Sequence, residues 1–184
     1  MSTSSPLAAL PPPVDPATDH ILGPHAAPLT LIEYGDYECP ACGQAYPVVE
    51  SLLAQHAGRI RFVFRHFPLR EVHPNAERAA EASEAAAAQD QFWAFHKVLF
   101  THQNHLDAKH LAGHAEALSL DMARFTNELQ DEVYRQRVQE HMQGGVQAGL
   151  RATPTFFLNG QKVTSRPQNA DDFSRVVQDA LPKK

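Results

Sequence analysis

Cys39 and Cys42 are the only thiols among 184 residues, and just two residues, Pro40 and Ala41, separate them. Three kinds of chemistry suit such a pair: half of a metal site, a structural crosslink, or a reversible disulfide. A crosslink this short closes too small a loop to remove much entropy from the unfolded chain. A small secreted scaffold stapled by disulfides would carry four or more cysteines. Metal binding and redox exchange therefore remain.

The elements around the pair separate these two. Upstream, Leu29-Thr30-Leu31-Ile32-Glu33-Tyr34 is rich in β-formers and bounded by Pro28 and Gly35, which reads as a buried strand. Downstream, Ala45, Val48, Val49, Leu52 and Leu53 recur at helical spacing to about His56. Cys39 thus falls where a strand hands over to a helix, and Pro40 takes the first helical position, where its missing N–H costs nothing. Free backbone N–H groups at a helix start stabilise a thiolate, the reactive form of cysteine. Cys39 is expected to have the lowered pKa and Cys42, one turn in, to be the more buried. In exchange chemistry Cys39 would attack and Cys42 would resolve the mixed disulfide. Pro47 is expected to kink this helix.

A second strand alternates Ile60, Phe62 and Phe64 with Arg61, Val63 and Arg65 and ends by Pro68. Ala- and Glu-rich sequence from His73 onward then reads as nearly unbroken helix. Further helical segments reach to about residue 149, one of them capped by Asp121 with Met122, Phe125 and Leu129 on one face. Thr155 to Leu158, the turn Asn159-Gly160, and Gln161 to Thr164 give a hairpin signal. Phe173, Val176, Val177 and Leu181 mark a closing amphipathic helix.

The strings "DYECPACG", "FRHFPL", "FWAFHKVLF" and "GVQAGLRATPTFFLNG" resemble the DsbA-like thiol–disulfide oxidoreductases, in chain order over residues 20–181. The resemblance implies an α/β, thioredoxin-like fold with an all-helical subdomain inserted between the second strand and the C-terminal hairpin. The expected division is a disordered Pro-rich leader over 1–19, the CxxC half of the domain over 20–70, the insertion over 71–149, and the hairpin and helix over 150–184. It further implies that Cys39 and Cys42 are the redox pair, and that Thr153-Pro154 forms a cis-proline loop facing them. Substrate would meet this loop together with Pro40 and Ala41. Glu33, six residues before Cys39, matches the buried acid of the wider fold, and a carboxyl in an apolar strand would have a raised pKa and take the Cys42 proton. One departure stands out: DsbA, the family's namesake, has His second between its cysteines, whereas Ala41 adds no charge or donor. A less oxidising disulfide is expected, the more so if Asp36 and Glu38 lie near the thiolate.

Electrons held in thiols require no cofactor, and protein or peptide thiols and disulfides are the expected partners, with glutathione as a further one. A glutathione- or small-molecule-directed enzyme is an alternative within the fold. A non-catalytic metal- or partner-binding module is an alternative outside enzymology. His102, His105, His110 and His114 could imitate a zinc site with the cysteines, but nothing in the sequence joins them, so no metal ligand is assigned. Phe92, Trp93, Phe95 and Phe100 read as helical core. A net charge of −5 without a basic cluster argues against nucleic acid, and no apolar run approaches the roughly 18 residues of a membrane span. Residues 1–19 lack a basic start and apolar core of a secretory signal, so the sequence as written reads as cytoplasmic, or as exported if a leader has been trimmed. A monomer is the default expectation.

Overall fold

The computed structural model describes residues 10–164 and 169–181. Five strands form one sheet: β1 (His20–Leu22), β2 (Leu29–Gly35), β3 (Ile60–His66), β4 (Thr155–Leu158) and β5 (Gln161–Lys162). Their spatial order is β1-β3-β2-β4-β5. Among the described residues only β2 and β3 run parallel, and parallel neighbours need a crossover, which α1 (Pro40–Gln55) supplies.

Alternation along the strands sorts the core. Leu29 and Leu31 share one face with Phe62, Phe64, Phe156 and Leu158, under Val49 and Leu52 of α1 and Phe173 and Val177 of α7 (Ala170–Ala180). Ile32, Tyr34, Val63 and Phe157 form the other face, against Ala148 and Leu150 beyond α6 (Arg135–Gln147). With both faces covered, the central strands are apolar almost throughout. Glu33 follows the first set by alternation and lies in register between Phe64 and Phe156.

Between β3 and β4 stands the expected helical insertion: α2 (Ala76–Ala87), α3 (Phe92–Thr101), α4 (Ala108–Ala117), α5 (Met122–Gln130), then α6. Asp107 and Asp121 cap α4 and α5 by accepting backbone N–H bonds. Phe92, Phe95 and Phe100 are buried core, and Trp93 packs at its edge. The long helix read from His73 onward is broken, because Asp90 adopts a left-handed φ of 60° and the N–H of Gln91 turns back to the Ala86 carbonyl. Aspartate tolerates that conformation better than most residues. In the hairpin, Asn159 and Gly160 have φ of 49° and 79°, as a primed two-residue turn requires.

One further expectation is corrected. The leader is not disordered from Leu10 onward; its first nine residues lie outside the described residues. The Arg65 guanidinium is buried and donates to Asp19 at 2.7 and 2.8 Å and to the carbonyls of Pro12 and Pro13 at 2.9 and 3.0 Å. A buried guanidinium needs a counter-charge and acceptors, and this segment supplies both. Strand β1 was also unforeseen, since three residues are too few to display a period.

Candidate active site

Cys39 is the N-cap residue of α1, with Pro40 at the first helical position. Its carbonyl accepts the N–H groups of Cys42 and Gly43 at 3.0 and 3.1 Å. Both sulfurs are free thiols, with Cys39 6% exposed and Cys42 fully buried. Pro40 and Ala41 between them are exposed. The Cys42 thiol donating to the Cys39 sulfur is the largest cause that lowers the Cys39 pKa, which falls to about 5 against desolvation. The backbone N–H groups of Cys42 and Ala41 add to this. Burial pushes the Cys42 pKa well above the ordinary range, and its bond to Cys39 and the Glu33 charge push it further. One pair thus holds a ready thiolate and a reluctant thiol.

Glu33 is 3% exposed, and its Oε1 finds no hydrogen-bond partner among the described residues. Desolvation, with a smaller contribution from Cys39, raises its pKa to about 8. Gly35 makes room here: a Cβ at that position would lie 2.5 Å from the Phe64 ring and 3.3 Å from Glu33 Oε1. The carboxyl is therefore largely protonated at neutral pH.

Asp36 and Glu38 do not oppose the thiolate, because both are turned to other partners. Asp36 accepts from the N–H of Leu69 and from His73, each at 2.8 Å, and Glu38 accepts from the Asn75 backbone and side chain. Sequence reasoning missed Gln103, which comes just after α3. Its amide donates to the carbonyls of Tyr37 at 2.8 Å and Cys39 at 2.9 Å, clamping the β2–α1 turn from the insertion. Gly43 is what admits it, since a Cβ there would lie 2.0 Å from Gln103 Oε1. Tyr37, buried beneath the turn, bonds His96 Nδ1 at 3.0 Å.

The Thr153-Pro154 peptide bond is cis, and the Thr153 carbonyl lies 3.6 Å from Cys39 Sγ, which donates to it as a thiol. The Thr153 hydroxyl is buried and has no partner among the described residues. All the residues assigned from the sequence thus lie on β2, at the N-cap and in the first turn of α1, or on the loop before β4. The histidines do not join them: His102, His105 and His110 are exposed. Among the described residues no cluster of metal-ligating atoms includes a cysteine. Two cavities, of about 470 and 360 Å³, also lie away from the thiols.

A family model described as Thioredoxin matches residues 15–179. This chain belongs to the thioredoxin family. Within it, the fold is that of the DsbA-like members. It superposes on oxidised BdbD from Bacillus subtilis with a TM-score of 0.82 at 22% identity, over 95% of this chain and 97% of that one. Wolbachia pipientis alpha-DsbA1 gives 0.80 at 22% identity over 91% and 92%. The catalytic domain of Proteus mirabilis ScsC gives 0.77 at 20% identity over 91% of each chain. Such coverage includes the helical insertion of this thioredoxin-family chain.

Among curated proteins, similarity is higher to two named as Na(+)/H(+) antiporters. NhaA 1 of Salinispora arenicola is 49% identical over 150 residues, 82% of this chain and 23% of that protein. NhaA of Herminiimonas arsenicoxydans is 44% identical over 154 residues, 84% of this chain and 24% of that protein. The chain spans about a quarter of the length of the curated relatives it matches. Among the described residues, no helix is long and apolar enough to cross a membrane.

Proposed function

We propose that this chain is a dithiol–disulfide oxidoreductase acting on protein substrates through Cys39 and Cys42. The observation that carries the reading is the opposed acidity of two adjacent sulfurs, Cys39 lowered to about 5 and Cys42 raised well above its ordinary value. Around neutral pH only the sulfur at the helix start is a thiolate, which orders the two chemical steps.

In the reductive direction, the Cys39 thiolate attacks one sulfur of a substrate disulfide. A Cys39–substrate disulfide forms and the other substrate sulfur leaves as a thiolate. Cys42 then gives up its proton, for which the ionised Glu33 carboxylate is the acceptor, and attacks Cys39 Sγ. The Cys39–Cys42 disulfide forms, the second substrate thiolate leaves, and two electrons have passed to the substrate. The oxidative direction is the same path reversed. Thr153 and Pro154 supply the surface beside Cys39, with the exposed Pro40 and Ala41 on its other side.

A Cys39 pKa near 5 falls between those of DsbA, about 3.5, and thioredoxin, about 7. A better stabilised thiolate makes its disulfide more oxidising, so this pair is less oxidising than DsbA. Neutral Ala41 agrees with that placement. The test is to mix the Cys42→Ser variant with disulfide-bonded insulin and, separately, with oxidised glutathione. The reading expects a mixed disulfide through Cys39 that accumulates on the protein substrate in preference. Capture of glutathione alone favours a small-molecule enzyme, and no mixed disulfide with either refutes thiol exchange.

A further inference from the structure

Where β1 meets β3, three side chains converge that lie outside the thiol pair and its proline loop. His20 on β1, His66 at the end of β3 and Glu84 in α2 place both imidazole Nε2 atoms 2.7 Å from one atom, Glu84 Oε1. The three ligand-bearing atoms lie within 4.8 Å of one another. The Glu84 and His66 side chains are 0% and 1% exposed, and that of His20 is 11% exposed.

The surroundings are arranged for a ligand. Arg137 bonds the other carboxylate oxygen, Oε2, at 3.2 Å, which orients the group and leaves Oε1 to the centre. His20 stacks on Phe92 with centroids 3.4 Å apart, which fixes its ring plane. His20 and Glu84 both line the cavity of about 470 Å³, together with Asp19, Trp93, Tyr134 and Arg137. An ion has a way in there and an open position once bound.

We propose that His20 Nε2, His66 Nε2 and Glu84 Oε1 form a site for one divalent ion of the zinc class, with the remaining position facing this cavity. Two imidazoles and one carboxylate are the nitrogen–oxygen set that suits zinc and its first-row neighbours, and three protein ligands plus an open position is a known zinc arrangement. On binding, each imidazole turns its Nε2 lone pair to the metal, and its proton passes to Nδ1. His66 Nδ1, which has no hydrogen-bond partner among the described residues, is the atom that receives it in that ring. The ligands come from the edge strand, the central sheet and the insertion, so the ion would clasp these three parts together. This inference does not rest on the thiol reading and holds whether or not the cysteines turn over.

The test uses the Cys39→Ser, Cys42→Ser double variant, which removes thiolate ligation, stripped of metal and titrated with Co²⁺ and then with competing Zn²⁺. The expected result is one Co²⁺ per chain, with visible d–d bands of nitrogen–oxygen ligation that Zn²⁺ abolishes. His20→Gln, at the half-buried edge, and His66→Gln should each weaken binding by more than about 10-fold. Combined replacement of His102, His110 and His114 by Ala should leave it unchanged. Absence of saturable binding overturns the proposal. So does binding that persists in a folded His20→Gln or His66→Gln chain, or binding lost only with the surface histidines.

Discussion

Replacing Glu33 with Gln tests whether the buried carboxyl is as isolated as its surroundings indicate. Glu33 lies between Phe64 and Phe156 with Oε1 unpartnered among the described residues, and its pKa rises from 4.5 to about 8. Since the folded value exceeds the unfolded one, the burial penalty is absent below pH 4.5, grows as pH rises, and levels off above about 8. About 2.5 pH units separate 4.5 from neutrality, and at ~1.4 kcal/mol per unit the penalty at pH 7 is about 3 kcal/mol. Its ceiling above pH 8 is about 5 kcal/mol. Gln has nearly the same shape and does not titrate, and its own burial cost is independent of pH. Glu33→Gln should therefore gain about 3 kcal/mol on the parent between pH 4 and pH 7, whatever its offset at pH 4. Urea unfolding of both proteins, fully reduced, across pH 4 to 8.5 measures the difference. Parallel stability–pH curves would refute the burial argument, because they would mean that Glu33 titrates alike in the folded and unfolded chains.

Three other outcomes follow from the same geometry. Alkylation of Cys39 should show a midpoint near pH 5, and Cys42→Ala should move it upward by removing the largest stabilising donor; a parent midpoint near 9 would contradict the site's electrostatics. Because the folded Cys39 pKa is depressed, its stabilisation of the reduced protein is fully present only above the unfolded value of 9 and is lost as pH falls through about 5. Gln103→Leu and Gly43→Ala should each cost about 1–3 kcal/mol and slow exchange, and the double variant should cost little more than either, as both remove one clamp on the active-site turn. Gly35→Ala, which would push a Cβ to 2.5 Å from the Phe64 ring, should destabilise by about 1–3 kcal/mol in the same urea assay.

What the sequence made legible was local. A strand, two cysteines around Pro40 and a helix occupy consecutive residues, so the N-cap position of Cys39 could be read from them. Asn159-Gly160 announced its turn because a primed turn demands left-handed φ at both residues. Glu33 was suspect because a carboxyl interrupts an apolar strand. The unread features join distant residues: Gln103 reaches the Cys39 carbonyl across 64 positions, and Arg65 reaches Asp19 across 46. Neither carries a signal in its own neighbourhood. The Pro-rich leader looked unstructured because its order comes from Arg65 rather than from its own composition. The break at Asp90 was hidden by strong helix formers on both sides of it. His20, His66 and Glu84 come from three separate elements that only the folded sheet and insertion bring together.

On the proposed reading, Cys39 and Cys42 form one reversible redox pair of intermediate strength. Equilibrating the protein in graded glutathione buffers, then trapping and counting free thiols, addresses it most directly. A single two-thiol transition is expected, with a potential between about −120 mV, as for DsbA, and about −270 mV, as for thioredoxin. A chain whose two thiols never close into a disulfide, or react independently with glutathione without closing, would contradict it.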